Sequence, residues 1–340
     1  MSVTATLPTT MLAVVQDRYG SADVLGMADI ARPEITDTEV LVRVRAAGLD
    51  RGTWHVMTGQ PYLGRLAFGV RRPRNPVPGL DVAGIVVAVG SAVTRFSVGD
   101  EVFGFGKGSF AEYAVAREEK LARKPESLSF EQSAVVPVSA GTALQALCDH
   151  GQVAPGQRVL INGASGGVGS YAVQIAKAIG AEVTAVASTA KLDLVHSLGA
   201  DHVMDYTRDD FADGSQRYDL ILDIGGNPSV RRLRRALTPT GTAVIVGGEK
   251  GGSWTGSMDR PLRALALSPF VRQRLTNFIA KQRASDLDRI TELIEGGLVT
   301  PHIDSTYRLD QVPEAIRHLQ AGKARGKIAI AVPPPGGAPW

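Results

Sequence analysis

The chain has 340 residues and a net charge of +3; 44% of the residues are hydrophobic and 21% are charged. This length exceeds what one hydrophobic core usually serves, so two domains are expected in an ordinary globular protein. The mild positive charge gives little support to nucleic-acid binding. No apolar run approaches the ~18 residues of a membrane span, so we expect neither a nucleic-acid nor a membrane partner.

The single cysteine, Cys148, excludes an internal disulfide and a thiolate-rich zinc site. It lies in an apolar helical pattern, so we interpret it as a small buried hydrophobic residue. Residues 1–10 show neither the positive region nor the apolar region of a secretion signal. A cytoplasmic location is therefore the default expectation.

The first third of the chain predicts short strands separated by glycine turns. In Val40–Ala46 the apolar residues alternate with Arg43 and Arg45, which indicates a half-buried antiparallel strand. Short strands without a long helix predict a small β-barrel-like domain. Further strands are predicted at Met11–Val15, Asp81–Gly90, Glu101–Phe105 and Phe110–Val115.

From Phe130 to Asp149 the spacing of apolar residues becomes helical, and strands then alternate with helices. This alternation predicts a doubly wound parallel sheet of six strands. The strands are Arg158–Asn162, Glu182–Ala187, Asp201–Asp205, Tyr218–Asp223, Thr242–Val246 and Arg274–Ile279, with helices at Lys191–Leu198, Pro228–Leu237 and Pro261–Leu267. Two later helices, Asp286–Glu295 and Val312–Gln320, and a last strand, Lys327–Val332, do not extend the alternation, so we expect them to pack on the first domain.

The most informative stretch runs from Arg158 to Lys191. A buried strand leads directly into Gly163-Ala-Ser-Gly-Gly-Val-Gly169, and a helix and a second strand follow. This is one βαβ unit, in which glycines allow a sharp turn, close approach of the backbone to a pyrophosphate and tight helix packing. The N–H groups at the start of the helix then hold the phosphates. The pattern predicts a dinucleotide site.

The end of the second strand indicates which dinucleotide is bound. A cofactor with a free ribose 2′-OH usually meets an Asp or Glu about twenty residues past the glycines. Here Ser188, Thr189 and Lys191 follow the strand and no carboxylate stands at its end. These residues suit a 2′-phosphate and predict NADP(H). The alternative is that Ser188 or Thr189 is only a helix N-cap and Lys191 a solvated charge.

Two long loops are candidates for a substrate entrance. Residues 61–78 contain Tyr62, Leu63, Phe68 and four arginines, and residues 247–269 begin with glycines and contain Trp254. The arginines either attract an anionic substrate or form a solvated face, and the second is more common. These four residues are Arg65, Arg71, Arg72 and Arg74.

Several stretches, in order along nearly the whole chain, resemble the medium-chain dehydrogenase/reductase superfamily, in particular its zinc-free quinone-oxidoreductase-like branch. They are Val77-Pro-Gly-Leu-Asp-Val-Ala-Gly-Ile-Val86, Val98-Gly-Asp-Glu-Val-Phe103, Ala140-Gly-Thr-Ala143, Asn162-Gly-Ala-Ser-Gly-Gly-Val-Gly169, Leu198-Gly-Ala-Asp201 and Ala324-Arg-Gly-Lys327.

The resemblance implies a GroES-like catalytic domain formed by residues 1–129 and 285–340, a Rossmann NADP(H)-binding domain formed by residues 130–284, and a homodimer. It also implies the cofactor contacts, with Lys327 as a weaker candidate. The glycine turn and its helix would hold the pyrophosphate through Gly163, Ser165, Gly166, Gly167, Val168 and Gly169. Ser188, Lys191 and Tyr206 would contact the 2′-phosphate, and Thr142, Gly225, Val246, Gly247 and Gly248 would line the ribose and nicotinamide.

The chain departs from the zinc-dependent members of the family at each metal position. Those members place a Cys at Asp50, a His-Glu pair at Leu80-Asp81 and a Cys at Val138, and a four-cysteine lobe where this chain has Gly104–Phe110. Asp50 and Asp81 form a conceivable hard-oxygen site, but zinc enzymes normally use His or Cys ligands. We expect no metal.

Without a metal there is no Lewis acid to polarise an alcohol, so the expected acceptor is already electrophilic: a quinone or an α,β-unsaturated carbonyl. The cofactor supplies the hydride, and the protein positions the acceptor and donates a hydrogen bond to the developing oxyanion. Candidates for that donor are Asp50, Thr53 and His55. An ionised Asp50 would repel an oxyanion unless it is protonated, turned away or paired, and His55 is equally well a structural histidine beside Trp54.

The predicted function is therefore an NADPH-dependent reductase of quinones or enones. One alternative is a reductase of 2-enoyl thioesters, which needs a wide cleft for an acyl carrier. The other is a protein that binds NADPH without turnover and serves as an interaction or RNA-binding module.

Overall fold

A computed structural model describes residues 7–247, 260, 262, 264, 267 and 270–333. The described chain forms a six-stranded sheet, a second sheet of seven strands and a two-stranded ribbon. No helix among the described residues is long and apolar enough to cross a membrane.

The ribbon pairs β1 (Thr10–Val15) with β2 (Gly26–Ala31). The seven-stranded sheet is built around β3 (Glu39–Leu49), which extends beyond the predicted strand Val40–Ala46 at both ends. Val40, Val42 and Val44 are fully buried, whereas Arg43 and Arg45 on the opposite face are half-buried, as the alternation predicts. The next strands are β4 (Asp81–Val89), β5 (Glu101–Phe105), β6 (Tyr113–Arg117) and β7 (Leu121–Arg123).

The last two strands of the chain return to this sheet. They are β14 (Ile303–Arg308), which the sequence analysis missed, and β15 (Lys327–Ala331). The sheet order is β14-β15-β3-β4-β5-β7, with β6 also paired to β3, and Ile328 lies opposite Leu49. The tail therefore brings Lys327 to the end of β3, which Asp50 follows. The domain boundaries at 129/130 and 284/285 remain predictions.

The six-stranded parallel sheet confirms the predicted doubly wound architecture. Its strands are β8 (Arg158–Asn162), β9 (Glu182–Ala187), β10 (His202–Asp205), β11 (Tyr218–Asp223), β12 (Leu237–Ile245) and β13 (Arg274–Asn277), in the order β10-β9-β8-β11-β12-β13. The order reverses between β8 and β11. In such sheets ligands bind outside the carboxyl ends of the strands at this switch point.

The helices are α1 (Arg51–Thr58), α2 (Arg65–Phe68), α3 (Phe130–Ala134), α4 (Pro137–Leu144), α5 (Gly167–Ile179), α6 (Leu192–Ser197), α7 (Val230–Ala236), α8 (Ala284–Glu295) and α9 (Val312–Gln320). A π-helical turn, Gln145–Gly151, continues α4. It carries the half-buried Cys148, whose pKa is raised by burial. Ala172 and Ile175 of α5 are 0% and 1% exposed, and they fix the packing of this helix on the sheet.

Two predicted strands begin several residues away in the structure: β12 begins at Leu237 rather than at Thr242, and the strand predicted from Phe110 begins later. The strand predicted from Phe110 begins only at Tyr113, because the preceding residues bond to β1: Val14 N donates to Phe110 O at 2.9 Å and Glu112 N to Leu12 O at 3.0 Å. The predicted helix Pro261–Leu267 falls largely outside the described residues, as do Trp254 and Gly248.

Candidate functional site

Three glycines bring two backbone loops into contact at the switch point. Gly163 follows β8 with a positive φ of 85°, and a Cβ on it would lie 2.7 Å from the N atom of Gly225. A Cβ on Gly169 would lie 2.2 Å from the carbonyl oxygen of Gly163. Each position excludes any side chain, so the turn, the first helical turn of α5 and the loop after β11 pack backbone against backbone.

Gly166 and Gly167, which lie between them, are not packed against the backbone in this way. Gly166 is the N-cap of α5, and a Cβ on it would meet its nearest neighbour, Gly163 O, only at 3.6 Å. A Cβ on Gly167 would lie 3.0 Å from both Lys327 Cδ and Ser139 Oγ. The free N–H groups at the start of this 13-residue helix are of the kind that hold a phosphate.

Ser165 and Val168 complete the predicted phosphate set. Ser165 is buried, and its carbonyl oxygen accepts a hydrogen bond from Gly326 N at 2.8 Å, which ties the glycine turn to the tail. Val168 is partly buried and packs against the core beneath α5.

Beside the turn lies a buried polar cluster that the sequence analysis missed. Asn162, at the end of β8, donates through Nδ2 to Asp223 Oδ1 at 2.8 Å and to Gly225 O at 2.5 Å. Arg260 forms an ion pair with the fully buried Asp223 and donates to Gly247 O at 2.5 Å. Burial raises the pKa of Asp223 to about 6 against the opposing pull of Arg260. The cluster holds the backbone around Gly225 and Gly247, which were predicted to line the ribose and nicotinamide.

Thr142 and Val246 are the other described residues of that predicted lining. Thr142, in α4, is buried and donates its hydroxyl to Val138 O at 2.6 Å. Val246 follows β12, and its N–H donates to Asp223 O at 3.0 Å.

The residues predicted at the 2′-phosphate lie after β9 and β10. Ser188 is half-buried and stands at the N-cap position of the turn Thr189–Lys191, where its side chain makes no capping hydrogen bond. Lys191 donates to the carbonyl oxygens of Gly322 and Ala324 at 2.8 and 2.7 Å, and Tyr206 is 61% exposed.

A cation that sequence reasoning did not place stands in the same region. Arg325 donates to Ala190 O at 2.8 Å and to Asp193 at 2.6 Å. It lies in Ala324-Arg-Gly-Lys327, one of the stretches that resemble the family. Only the fold shows that this tail crosses the end of β9. The nearby carboxylate of Asp205 accepts hydrogen bonds from the hydroxyl groups of Thr189 and Thr207 and from Thr207 N. These bonds lower the pKa of Asp205.

The three proposed catalytic residues begin α1. Asp50 is its N-cap, with Oδ1 accepting from Thr53 N at 2.8 Å. Its other oxygen, Oδ2, is buried and has no hydrogen-bond partner among the residues that the structure describes. Thr53 is buried one turn into the helix. A buried acceptor without a donor is costly, so Asp50 Oδ2 is suited to a proton or to a donor group on a ligand.

In this geometry His55 is poorly suited to donate a proton to a substrate. Its Nδ1 lies 2.8 Å from the carbonyl oxygen of Gln60, which accepts only, so Nδ1 carries the hydrogen. Burial lowers the pKa of His55, which favours the neutral ring. In this tautomer Nε2 accepts a hydrogen bond and has no proton to give.

Asp81 and Lys327 form a buried pair where the tail meets β4. Asp81 is fully buried and Lys327 is 2% exposed, with Lys327 Nζ 3.5 Å from Asp81 Oδ2. The other oxygen, Oδ1, accepts from Val138 N at 2.9 Å. Burial raises the pKa of Asp81 to about 8, with the charge of Lys327 opposing and that of Asp50 adding to the rise.

This pair argues against zinc at the corresponding position. An ammonium group occupies one side of the Asp81 carboxylate, Asp50 caps a helix, and Val138 offers no ligand atom. Within the described residues there is no group of three or more His, Cys, Asp or Glu side chains that could hold a metal ion.

The predicted entrance loop, residues 61–78, is folded rather than open. Arg65 stacks between Tyr19 and Tyr62, with 4.4 and 4.6 Å from its guanidinium carbon to the two ring centroids. It also donates to Gly59 O at 3.0 Å. The other three arginines of the loop are exposed, as are its apolar residues Leu63, Leu66, Phe68 and Val70.

Comparison with known proteins assigns the family. Residues 36–126 match the model described as an alcohol dehydrogenase GroES-like domain, and residues 198–330 match the one described as a zinc-binding dehydrogenase. The 2-methylene-furan-3-one reductase of Solanum lycopersicum is 32% identical over 346 residues, which cover 97% of this chain and 81% of the relative. The chain belongs to the medium-chain dehydrogenase/reductase superfamily. This confirms the resemblance noted in the sequence.

Two further relatives of this superfamily member are informative. The chloroplastic NADPH-dependent alkenal/one oxidoreductase of Arabidopsis thaliana is 32% identical over 341 residues, covering 96% of this chain and 81% of the relative. The solved structure of the quinone oxidoreductase from Coxiella burnetii superposes with a TM-score of 0.84 at 27% identity, covering 95% of this chain and 100% of that chain.

A pair of glycine substitutions separates packing from ligand binding. We expect Gly169→Ala to lower the free energy of unfolding by about 2 kcal/mol or more, since its Cβ would strike the backbone at 2.2 Å. Gly166→Ala should fold normally and weaken dinucleotide binding roughly tenfold, because its methyl group enters the phosphate space. Urea unfolding and a fluorescence titration with NADPH measure the two effects. Equal stability of both variants, or unchanged binding by Gly166→Ala, would contradict the geometry.

Asp81 gives a pH-dependent prediction. Its pKa is about 8 in the folded chain and about 4 when unfolded, so between these values the folded state keeps a proton that the unfolded state loses. The contribution of Asp81 to the free energy of unfolding therefore falls as pH rises through this window. Asp81→Asn removes this term, so stability should fall less steeply than in the wild type. Urea unfolding at several pH values tests this, and parallel profiles would refute it.

Proposed function

We propose that this protein transfers a hydride from NADPH to a quinone or an α,β-unsaturated carbonyl compound without a metal. The observation that carries the proposal is the meeting of Lys191 and Arg325 at the end of β9, beside the glycine turn. The names of the relatives, which include an NADPH-dependent alkenal/one oxidoreductase and a quinone oxidoreductase, support the same reaction.

The preference for the phosphorylated cofactor follows from charge. A 2′-phosphate carries about two negative charges and matches the guanidinium fork of Arg325 and the ammonium of Lys191. Both side chains donate to backbone carbonyls or to the exposed Asp193, contacts that a phosphate replaces with stronger ones. Ser188 stands beside them with a hydroxyl that makes no capping bond.

The pyrophosphate would lie over Gly166 and Gly167, with the ammonium of Lys327 next to it. Lys327 Cδ lies 3.0 Å from a Cβ built on Gly167 and its Nζ lies 3.5 Å from Asp81 Oδ2, so the charge would act on both Asp81 and the phosphates. Bound NADPH supplies the hydride at its nicotinamide ring. The backbone around Gly225, Val246 and Gly247 would position that ring.

The role of this chain's own side chains is to receive negative charge on the acceptor oxygen. Asp50 Oδ2, buried and without a partner among the described residues, would donate a hydrogen bond when it carries a proton. The charge of Asp50 adds to the rise in the pKa of Asp81, so the two carboxyls act on one another electrostatically. Thr53 offers a hydroxyl in the same helical turn, and neutral His55 would orient rather than protonate.

The proposal extends to assembly and location. A homodimer is proposed from the family resemblance alone. A cytoplasmic location is proposed from the sequence pattern alone.

The 2′-phosphate contacts are tested by three substitutions. We expect Lys191→Ala and Arg325→Ala each to weaken NADPH binding about tenfold while changing NADH binding less than about twofold. Lys323→Ala is the matched control, because Lys323 is an exposed lysine of the same tail turn. Loss of both cofactors to the same degree would show that the two cations only stabilise the turn.

The reaction is tested on metal-stripped protein with NADPH and a panel of o- and p-quinones, enones, 2-enoyl thioesters and simple alcohols. We expect NADPH consumption with quinones or enones that does not increase when zinc is added, because the acceptors need no Lewis acid. A requirement for zinc, or efficient oxidation of simple alcohols with NADP+, would overturn the proposal. A strong preference for enoyl thioesters would select the alternative reductase.

A further inference from the structure

Away from the dinucleotide edge, five arginines surround one open recess of about 580 Å³. Its described lining contains no carboxylate. The lining residues are Arg217, Arg231, Arg234, Arg235, Pro239, Phe270, Val271, Arg272 and Gln273. We refer to this set as the arginine recess.

The fold explains why these arginines converge. Arg231, Arg234 and Arg235 share one face of α7, because residues three and four apart in a helix are neighbours. The opposite face buries Leu233 and Ala236 in the core. The remaining arginines precede β11 and β13. The recess therefore lies at the amino ends of these strands, about 20 Å from their carboxyl ends, given ~3.3 Å per residue over a six-residue strand.

A buried glutamine organises part of the recess. Gln273 is 9% exposed, and its Nε2 donates to Arg234 O at 2.8 Å and to Thr238 O at 3.1 Å. Its Oε1 accepts from Arg234 Nε at 3.0 Å, which fixes that guanidinium. Arg217 is held through a hydrogen bond to Leu237 O at 3.3 Å. Two of the guanidinium groups are thus positioned by neutral acceptors.

The acidic side chains near the arginine recess offset only part of its positive charge. Asp210 lies 3.4 Å from Arg235 but bonds more closely to Arg232, at 2.8 Å, outside the recess lining. The positive charge of Arg235 also acts on Asp213, which is exposed. Five guanidinium groups around one concavity repel one another, and a multivalent anion relieves that repulsion.

We propose that the arginine recess binds a small polyphosphorylated molecule of the nucleoside triphosphate class. Guanidinium forks match phosphate oxygens, and the volume falls within the ~300–1,000 Å³ of small-molecule sites. Phe270 is 83% exposed and stands with Val271 and Pro239, which provides a surface for a base. The site is distinct from the cofactor cleft, so both are occupied together.

The test uses isothermal titration of the full chain with ATP and, separately, with inorganic tripolyphosphate. NADPH is held at saturation so that the cofactor cleft is filled, and its own titration shows independently whether that cleft binds. We expect one equivalent of each ligand to bind, with affinity falling as salt rises. The double variant Arg231→Ser/Arg272→Ser should weaken both ligands at least tenfold. Phe270→Ala should weaken ATP and leave tripolyphosphate unchanged.

Arg18→Ser is the matched control, because Arg18 is an exposed arginine remote in sequence from the recess. No binding to the NADPH-saturated protein, equal losses in the double variant and the control, or a stoichiometry above one that sulfate reproduces would overturn the proposal. Equal affinity for ATP and tripolyphosphate, unaffected by Phe270→Ala, would remove the nucleoside from it. Tighter binding of a long oligonucleotide than of ATP would replace the small ligand by nucleic acid.

Discussion

The contact on which the rest of the structure depends is the backbone packing among Gly163, Gly169 and Gly225. It allows β8 to turn directly into α5 while the loop after β11 rests against the turn. A side chain at any of these positions would push the loops apart and move the start of the helix. Gly166 is less crowded, since a Cβ built on it would meet its nearest neighbour at 3.6 Å, whereas the side chains of Lys327 and Ser139 approach Gly167. This backbone packing fixes the position at which α5 begins.

The second determinant is the return of the tail. After α9 the chain crosses the end of β9, where Arg325 meets Ala190, and it passes the glycine turn, where Gly326 bonds to Ser165. It then enters the seven-stranded sheet as β15, with Lys327 buried against Asp81. One short segment thus joins the two sheets and carries two cations to the edge where an anionic dinucleotide fits. Folding of the tail and formation of the cofactor site are coupled for this reason.

The sequence predicted the parallel sheet because its central strands, such as β8 and β11, are short apolar runs between clear breaks. It predicted the glycine turn because this pattern of glycines between a strand and a helix is typical of a dinucleotide site. It did not predict Arg325, Arg260 or Asp223 as parts of the site. Their partners are distant along the chain: Asp193 for Arg325 and the β11 carboxylate for Arg260. β14 was missed because only Ile303 and Tyr307 in it are large apolar residues, and its side chains are half-buried or exposed.

The roles of Asp50, Thr53 and His55 were left open by the sequence because hydrogen-bond geometry decides them. Asp50 is the N-cap of α1, and His55 is tied to Gln60 as a neutral ring. Neither contact follows from residue type. The geometry leaves Asp50 Oδ2 as a buried oxygen without a partner among the described residues, and it holds the ring of His55 against Gln60.

The most direct test of this account is a crystal structure of the protein with NADP+ bound. We predict pyrophosphate oxygens within hydrogen-bonding distance of the N–H groups that begin α5, and the 2′-phosphate between Lys191 and Arg325. A dinucleotide bound elsewhere, or a 2′-phosphate that points into solvent away from both cations, would contradict it.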